Sequence, residues 1–181
     1  MIAASRKKKE NIAEYLLYMW QIEDIIRACG GDIDTIERQI ISGYRDQTPE
    51  TMKAIREWYE SLAEMMRTEG VMEKGHLQIN KNIIIDLSDL HQRLLKSTRE
   101  PFYSAAFFKT LPYIVELRTR SGDNGAGELE TCFNALYGIL LLRLQKKEIS
   151  PETQTAISQI SRFLALLSEK YKLDRAGELE L

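Results

Sequence analysis

Apolar side chains recur three and four positions apart along most of the chain, the spacing that lines one face of an α-helix. Ile12, Tyr15, Leu16, Met19, Ile22 and Ile26 form the first such stripe, with Glu23 the one charged residue on it. Cys29-Gly30-Gly31 supplies its stop. Asp32 or Asp34 can cap a short second helix whose buried face is Ile33, Ile36, Ile40, Ile41 and Tyr44, and which ends near residues 45–47. At Thr48-Pro49-Glu50 a hydroxyl cap, a first-turn proline and an acidic residue predict a third helix. Its stripe of Met52, Ile55, Trp58, Tyr59, Leu62, Met65 and Met66 runs to Gly70.

After a loop at residues 70–75, Ile79, Ile83, Leu87, Leu90 and Leu94 predict a fourth helix. The run Ile83-Ile84-Ile85 favours a strand by propensity, but the helical period on both sides overrides it. Pro101 opens a fifth helix, which Pro112 is expected to kink or split because proline removes a backbone donor. Residues 120–127 form the clearest loop. The sixth helix, residues 130–144, is apolar over most of its circumference, so it is expected to be the buried helix around which the others pack. Ser150-Pro151-Glu152 starts a seventh, with Ile157, Ile160, Leu164, Leu167 and Tyr171 facing inward. Residues 174–181 lack periodicity and are expected to fray.

The expected fold is therefore all-α, a single domain over residues 1–173 with about seven helices around a central apolar one. An internal echo adds to this. GDIDTI at residues 31–36 resembles GELETC at 127–132, and TPETMKAI at 48–55 resembles SPETQTAI at 150–157, in the same order. Two related three-helix units, residues 12–66 and 107–168, would explain it. Convergent helix starts would explain it equally well.

The 181 residues are 44% hydrophobic, enough for a sizeable core. With 25 basic and 27 acidic residues, the formal charge of −2 gives no global field toward nucleic acid or an anionic membrane. The basic run Arg6-Lys7-Lys8-Lys9 reads as a solvated cluster, and the acids behind it argue against a signal peptide. No stretch reaches the ~20 apolar residues of a membrane span, so a cytoplasmic location is expected. Cys29 and Cys132 lie far apart on apolar faces and read as buried free thiols. Residues 93–120 carry six cations against Glu100 and Glu116. Without an accompanying binding motif, nucleic acid remains a disfavoured partner.

Candidate chemistry is sparse. Glu73 and His76 have the Glu-x-x-His spacing of di-iron bundles, but only one copy exists and Gly75 places it in a loop. His91 reads as a boundary residue with a local hydrogen bond. The glycine-rich segment 122–127 lacks both the lysine of a phosphate-binding loop and a calcium-ligand spacing at Asp123 and Glu128. No catalytic residue, metal ligand or cofactor is therefore expected, although separated residues can still converge in space. Arg143 shares the apolar face of its helix with Cys132 and Leu136. It needs either a carboxylate, with Glu14, Glu23 and Asp24 as candidates, or an escape to water.

Residues 136–153 (LYGILLLRLQKKEISPET) and 11–21 (NIAEYLLYMWQ) resemble an uncharacterised bacterial family defined only as a domain of unknown function of about 180 residues. The resemblance implies an all-helical single domain with no established activity. From the residues themselves, an intracellular protein-interaction or scaffolding module without catalysis is the leading expectation, with self-association as one form of it. The alternative is a small-molecule-binding helical protein whose interhelical pocket is lined by Trp58, Met65, Met66 or Tyr137.

Overall fold

A computed structural model describes residues 2–44, 47–122 and 125–181. It holds eight α-helices among these residues: α1 (Ile2–Glu10), α2 (Ile12–Ala28), α3 (Ile33–Gln39), α4 (Pro49–Thr68), α5 (Gln78–Lys96), α6 (Pro101–Ser121), α7 (Glu128–Leu144) and α8 (Pro151–Ala176). A 3-10 turn, Ile41–Gly43, follows α3. The all-helical expectation stands, and no strand interrupts α5 at Ile83-Ile84-Ile85. The count of seven missed α1. Its four consecutive cations hide any stripe, yet Ala4 is buried and α1 packs along α2. Asn11 separates the two helices because its side chain accepts from the Ala13 and Glu14 N–H groups and so caps α2.

The starts of α4 and α8 follow from one chemistry. Thr48 and Ser150 accept from the backbone N–H groups of Thr51 and Thr153, and proline occupies the first turn of each helix. The middle elements of the internal echo differ in length, 7 residues in α3 against 17 in α7. Arg45, Asp46, Asp123 and Asn124 lie outside the described residues, so the expected end of the second helix and the middle of the 122–127 loop do too. Pro112 does not split its helix, because α6 runs unbroken past it to Ser121. The proline sits on the exposed side, where the carbonyl deprived of its partner can turn to water.

Burial corrects the expected centre. α7 does pack against α2, α5, α6 and α8, but its buried positions are Leu129, Thr131, Cys132, Phe133 and Ile139. Leu140, Leu141 and Leu142 are half-buried and Leu144 is 67% exposed. An apolar circumference requires cover on every side, and the neighbours cover only the first half of the rod. The most enclosed helix is α2, which carries Leu16, Met19, Trp20, Ile22, Glu23 and Ile26 in the interior and touches α1, α4, α5, α7 and α8. Past residue 173, α8 runs on to Ala176, and the last residues make contacts of their own. Asp174 pairs with Arg93 at 2.7 Å, Glu180 with Arg99 at 3.3 Å, and Leu179 packs on the core. These contacts join residues about eighty positions apart, beyond the reach of local periodicity.

Candidate functional site

Glu23 is the polar centre of the molecule. Its side chain is buried on α2, and its two oxygens serve the segment that leads into α5. Oε1 accepts from the Leu77 N–H at 2.9 Å and from Asn80 Nδ2 at 2.7 Å, while Oε2 lies 2.6 Å from His76 Nδ1. Leu77, at the N-terminal boundary of α5, brings no side-chain cap of its own. A carboxylate from another helix fills that role, in the place where the helix dipole favours negative charge. Arg27, one turn on from Glu23, donates to Asp24 at 2.7 Å and to the carbonyls of Val71 and Gly75, closing the same loop onto α2. The His76 ring stacks on Trp20 with centroids 4.1 Å apart and planes 12° apart.

Because a carboxylate oxygen accepts, His76 Nδ1 is the donor and Nε2 is left free, an orientation that in other settings prepares a general base. Here nothing completes it. Among the described residues no hydroxyl or thiol bonds His76, and no group of three or more His, Cys, Asp and Glu side chains is placed to hold a metal. Glu73 makes no bond to His76, and the cluster fastens the segment before α5 to α2. His91 is more deeply set than expected. It is buried, its Nδ1 lies 2.6 Å from the Tyr103 hydroxyl, and burial lowers its pKa from the ordinary 6.5. Cys29 and Cys132 are buried free thiols, and burial pushes that of Cys132 up to about 12.

Of the four pocket candidates, three stand on α4 and one on α7. Trp58 is half-buried against Tyr59, Met66 is fully buried, and Met65 lines a shallow recess of about 300 Å³ beside Glu64 and Glu69. Tyr137 stands on another helix, where its ring meets Trp20 edge-on and its hydroxyl donates to Asp24 Oδ2. Burial and the adjacent Asp24 raise its pKa.

A larger concavity, about 570 Å³, lies between α2, α7 and α8. Its apolar wall includes Leu17, Leu136, Leu140 and Ile157, and Arg143 and Arg162 enter it from α7 and α8. Both arginines are exposed, with no hydrogen bond or ion pair among the described residues. Arg143 therefore took the escape to water, since Glu14 is held by Lys7, Glu23 by His76 and Asp24 by Arg27. Arg143 was visible as an oddity in the sequence. Arg162 was not, because nothing local places α8 beside α7.

A different kind of surface runs along α6. Pro101, Ala105, Phe108, Pro112 and Val115, spaced four, three, four and three residues apart, are all exposed. Phe108 is 62% and Val115 51% accessible, and neighbouring Phe102 86%. The opposite face, with Tyr103, Phe107, Thr110 and Ile114, is in the core. The helix is thus apolar on two sides and covered on one. Most of the cations that crowd residues 93–120 in the sequence are engaged, Arg93 and Arg99 by the tail, Arg120 by Glu116 at 2.6 Å and Arg118 by the Thr131 hydroxyl. Lys96 and Lys109 have no partner among the described residues.

Among the described residues no helix is long and apolar enough to cross a membrane. Compared with known protein families, residues 1–178 match the one described as a domain of unknown function (DUF4924). No curated protein and no solved structure matches the chain.

Proposed function

The chain belongs to the DUF4924 family along nearly its whole length, and from that premise we propose that it is a protein-interaction module whose first partner is a second copy of itself. The supporting observation is the uncovered ridge on α6. Apolar positions alternating four and three apart make the seam by which two helices interlock. Single exposed apolar residues need no explanation, but an aligned row does. The edge of the ridge is also self-complementary. Lys109 and Glu116, the latter also within reach of Arg120 of its own helix, stand seven residues apart on one flank, so a two-fold axis near Pro112 sets each against the other in an antiparallel pair.

Sedimentation equilibrium of the full chain tests this. A dimer should form at micromolar concentrations, and Phe108→Glu or Val115→Glu should weaken it at least tenfold without loss of helicity. Glu116→Lys alone should also weaken it, and Lys109→Glu combined with Glu116→Lys should restore it. A chain that stays monomeric to roughly 100 μM, or a dimer indifferent to Phe108→Glu, would overturn the proposal.

Small-molecule binding is the second reading, and the groove between α2, α7 and α8 favours it. Its volume falls in the ~300–1,000 Å³ range of ligand sites, and an apolar wall with two unengaged guanidinium groups suits a fatty carboxylate. Decanoate should raise the melting temperature of the wild type and not that of Arg143→Gln/Arg162→Gln. Equal shifts in both would exclude this groove.

A further inference from the structure

The two ends of the chain meet in a recess of about 350 Å³ that brings Lys8 and Lys9 of α1 against Lys172 and Arg175 of α8, with Glu10 as the one acid among the described residues of its lining. The rim is made by residues more than 160 positions apart, which is why the sequence shows only a short basic run at one end. Lys9, Lys172 and Arg175 are exposed and engage no acid among the described residues, while Lys8 lies over the Tyr15 ring, 5.5 Å from its centroid. The neighbouring acids are committed elsewhere, Asp174 to Arg93 and Glu14 to Lys7. Asp86, on α5, is the other acid whose charge reaches Tyr171.

Some of this positive charge has an internal answer. α1 and α8 both end here, and each helix C-terminus contributes about half a negative elementary charge. With Glu10 included, an excess of about two positive charges remains in the lining, or about one when the exposed Asp86 is counted, in a molecule whose overall formal charge is −2. Like charges gathered within a Debye length, about 10 Å at 0.1 M salt, repel one another and raise the local affinity for a multiply charged anion. Ser168 does not compete as a partner, because its hydroxyl donates to the Leu164 carbonyl. The half-buried Tyr171 ring gives the recess one flat apolar wall.

We propose that this recess between α1 and the end of α8 is a binding site for a small soluble phosphorylated compound carrying at least two negative charges. The lysines and Arg175 would hold the phosphate oxygens, with Arg175 able to make a two-point contact, and the Tyr171 ring would lie against the rest of the ligand. The site shares no residue with the α6 ridge or with the Arg143/Arg162 groove.

Isothermal titration of the full chain with pyrophosphate, at fixed ionic strength maintained with sodium chloride, tests the assignment. The wild type should bind one equivalent, and at ten times the dissociation constant its melting temperature should rise by roughly 3–6 °C. Lys172→Gln/Arg175→Gln should weaken binding at least tenfold, Lys9→Gln severalfold, and Arg143→Gln not at all. Because the substituted side chains are solvent-exposed, all of these variants should keep the helicity of the wild type. Absence of binding at millimolar pyrophosphate, or equal binding to the wild type and the Lys172/Arg175 variant, would overturn the proposal. Adsorption to phosphatidylserine vesicles without binding of pyrophosphate would reassign the patch to a membrane surface and overturn it as well.

Discussion

Glu23 has no exposed surface and three donors on its two oxygens, so its removal strips a helix end, an amide and an imidazole of their acceptor together. Breaking a buried charged arrangement from one side costs about 3–5 kcal/mol. Glu23→Ala is expected to lose that much in urea unfolding, and Glu23→Gln less, because an amide oxygen can still accept from the Leu77 N–H. His91 sets a pH dependence of its own. Burial lowers its pKa below the ordinary 6.5, so the unfolded chain takes up the proton first. Stability is complete above about pH 6.5 and is lost as pH falls below it. The urea midpoint should therefore drop between pH 7.5 and 5.5, and the drop should shrink in His91→Gln, whose side chain can still bond the Tyr103 hydroxyl. Both residues were marked in the sequence, His91 only as a boundary residue. Glu23 is the lone charge on an otherwise apolar stripe, but its partners lie 53 to 57 positions onward, where helical phase has no reach. His91 is drawn inward by Phe107 and Phe163, which come from two other helices.

Helices announced themselves where a start signal and a stripe agreed. α4 and α8 begin at the prolines read from the sequence, behind the hydroxyl residues that cap them. Thr48→Ala and Ser150→Ala are each expected to cost about 1 kcal/mol, seen as a fall of roughly 2–4 °C in melting temperature. Failure came where composition obscured the period, as in α1, or where a local rule met an unforeseen exposure, as at Pro112. Because α6 tolerates that proline unbroken, the penalty should be recoverable. Pro112→Ala is expected to stabilise the monomer by about 1–3 kcal/mol, measured on the Phe108→Glu background so that any change in self-association does not enter. The matching starts of α4 and α8 follow from capping chemistry alone. The unequal lengths of α3 and α7 leave common ancestry of the two halves without structural support of its own.

The whole molecule departs from the sequence reading in its centre more than in its class. Periodicity specifies how each helix can be buried, and it does not say which helices come together. Hydrophobicity therefore pointed to α7, whereas α2, less uniformly apolar, is the one surrounded on most sides. The groove and the basic recess are products of assembly that join residues no local window connects, whereas the α6 ridge lies within one helix and owes only its exposure to the packing. The carboxylate of Glu23 has one further consequence for this assembly. A peptide comprising residues 1–75 would contain four helices but would strand an anion in its interior, and residues 76–181 would begin with an uncapped turn. Neither piece should be stably helical by circular dichroism when alone. Mixed in equal amounts they should reconstitute the native spectrum, a fragment complementation that Glu23→Ala in the shorter piece should abolish.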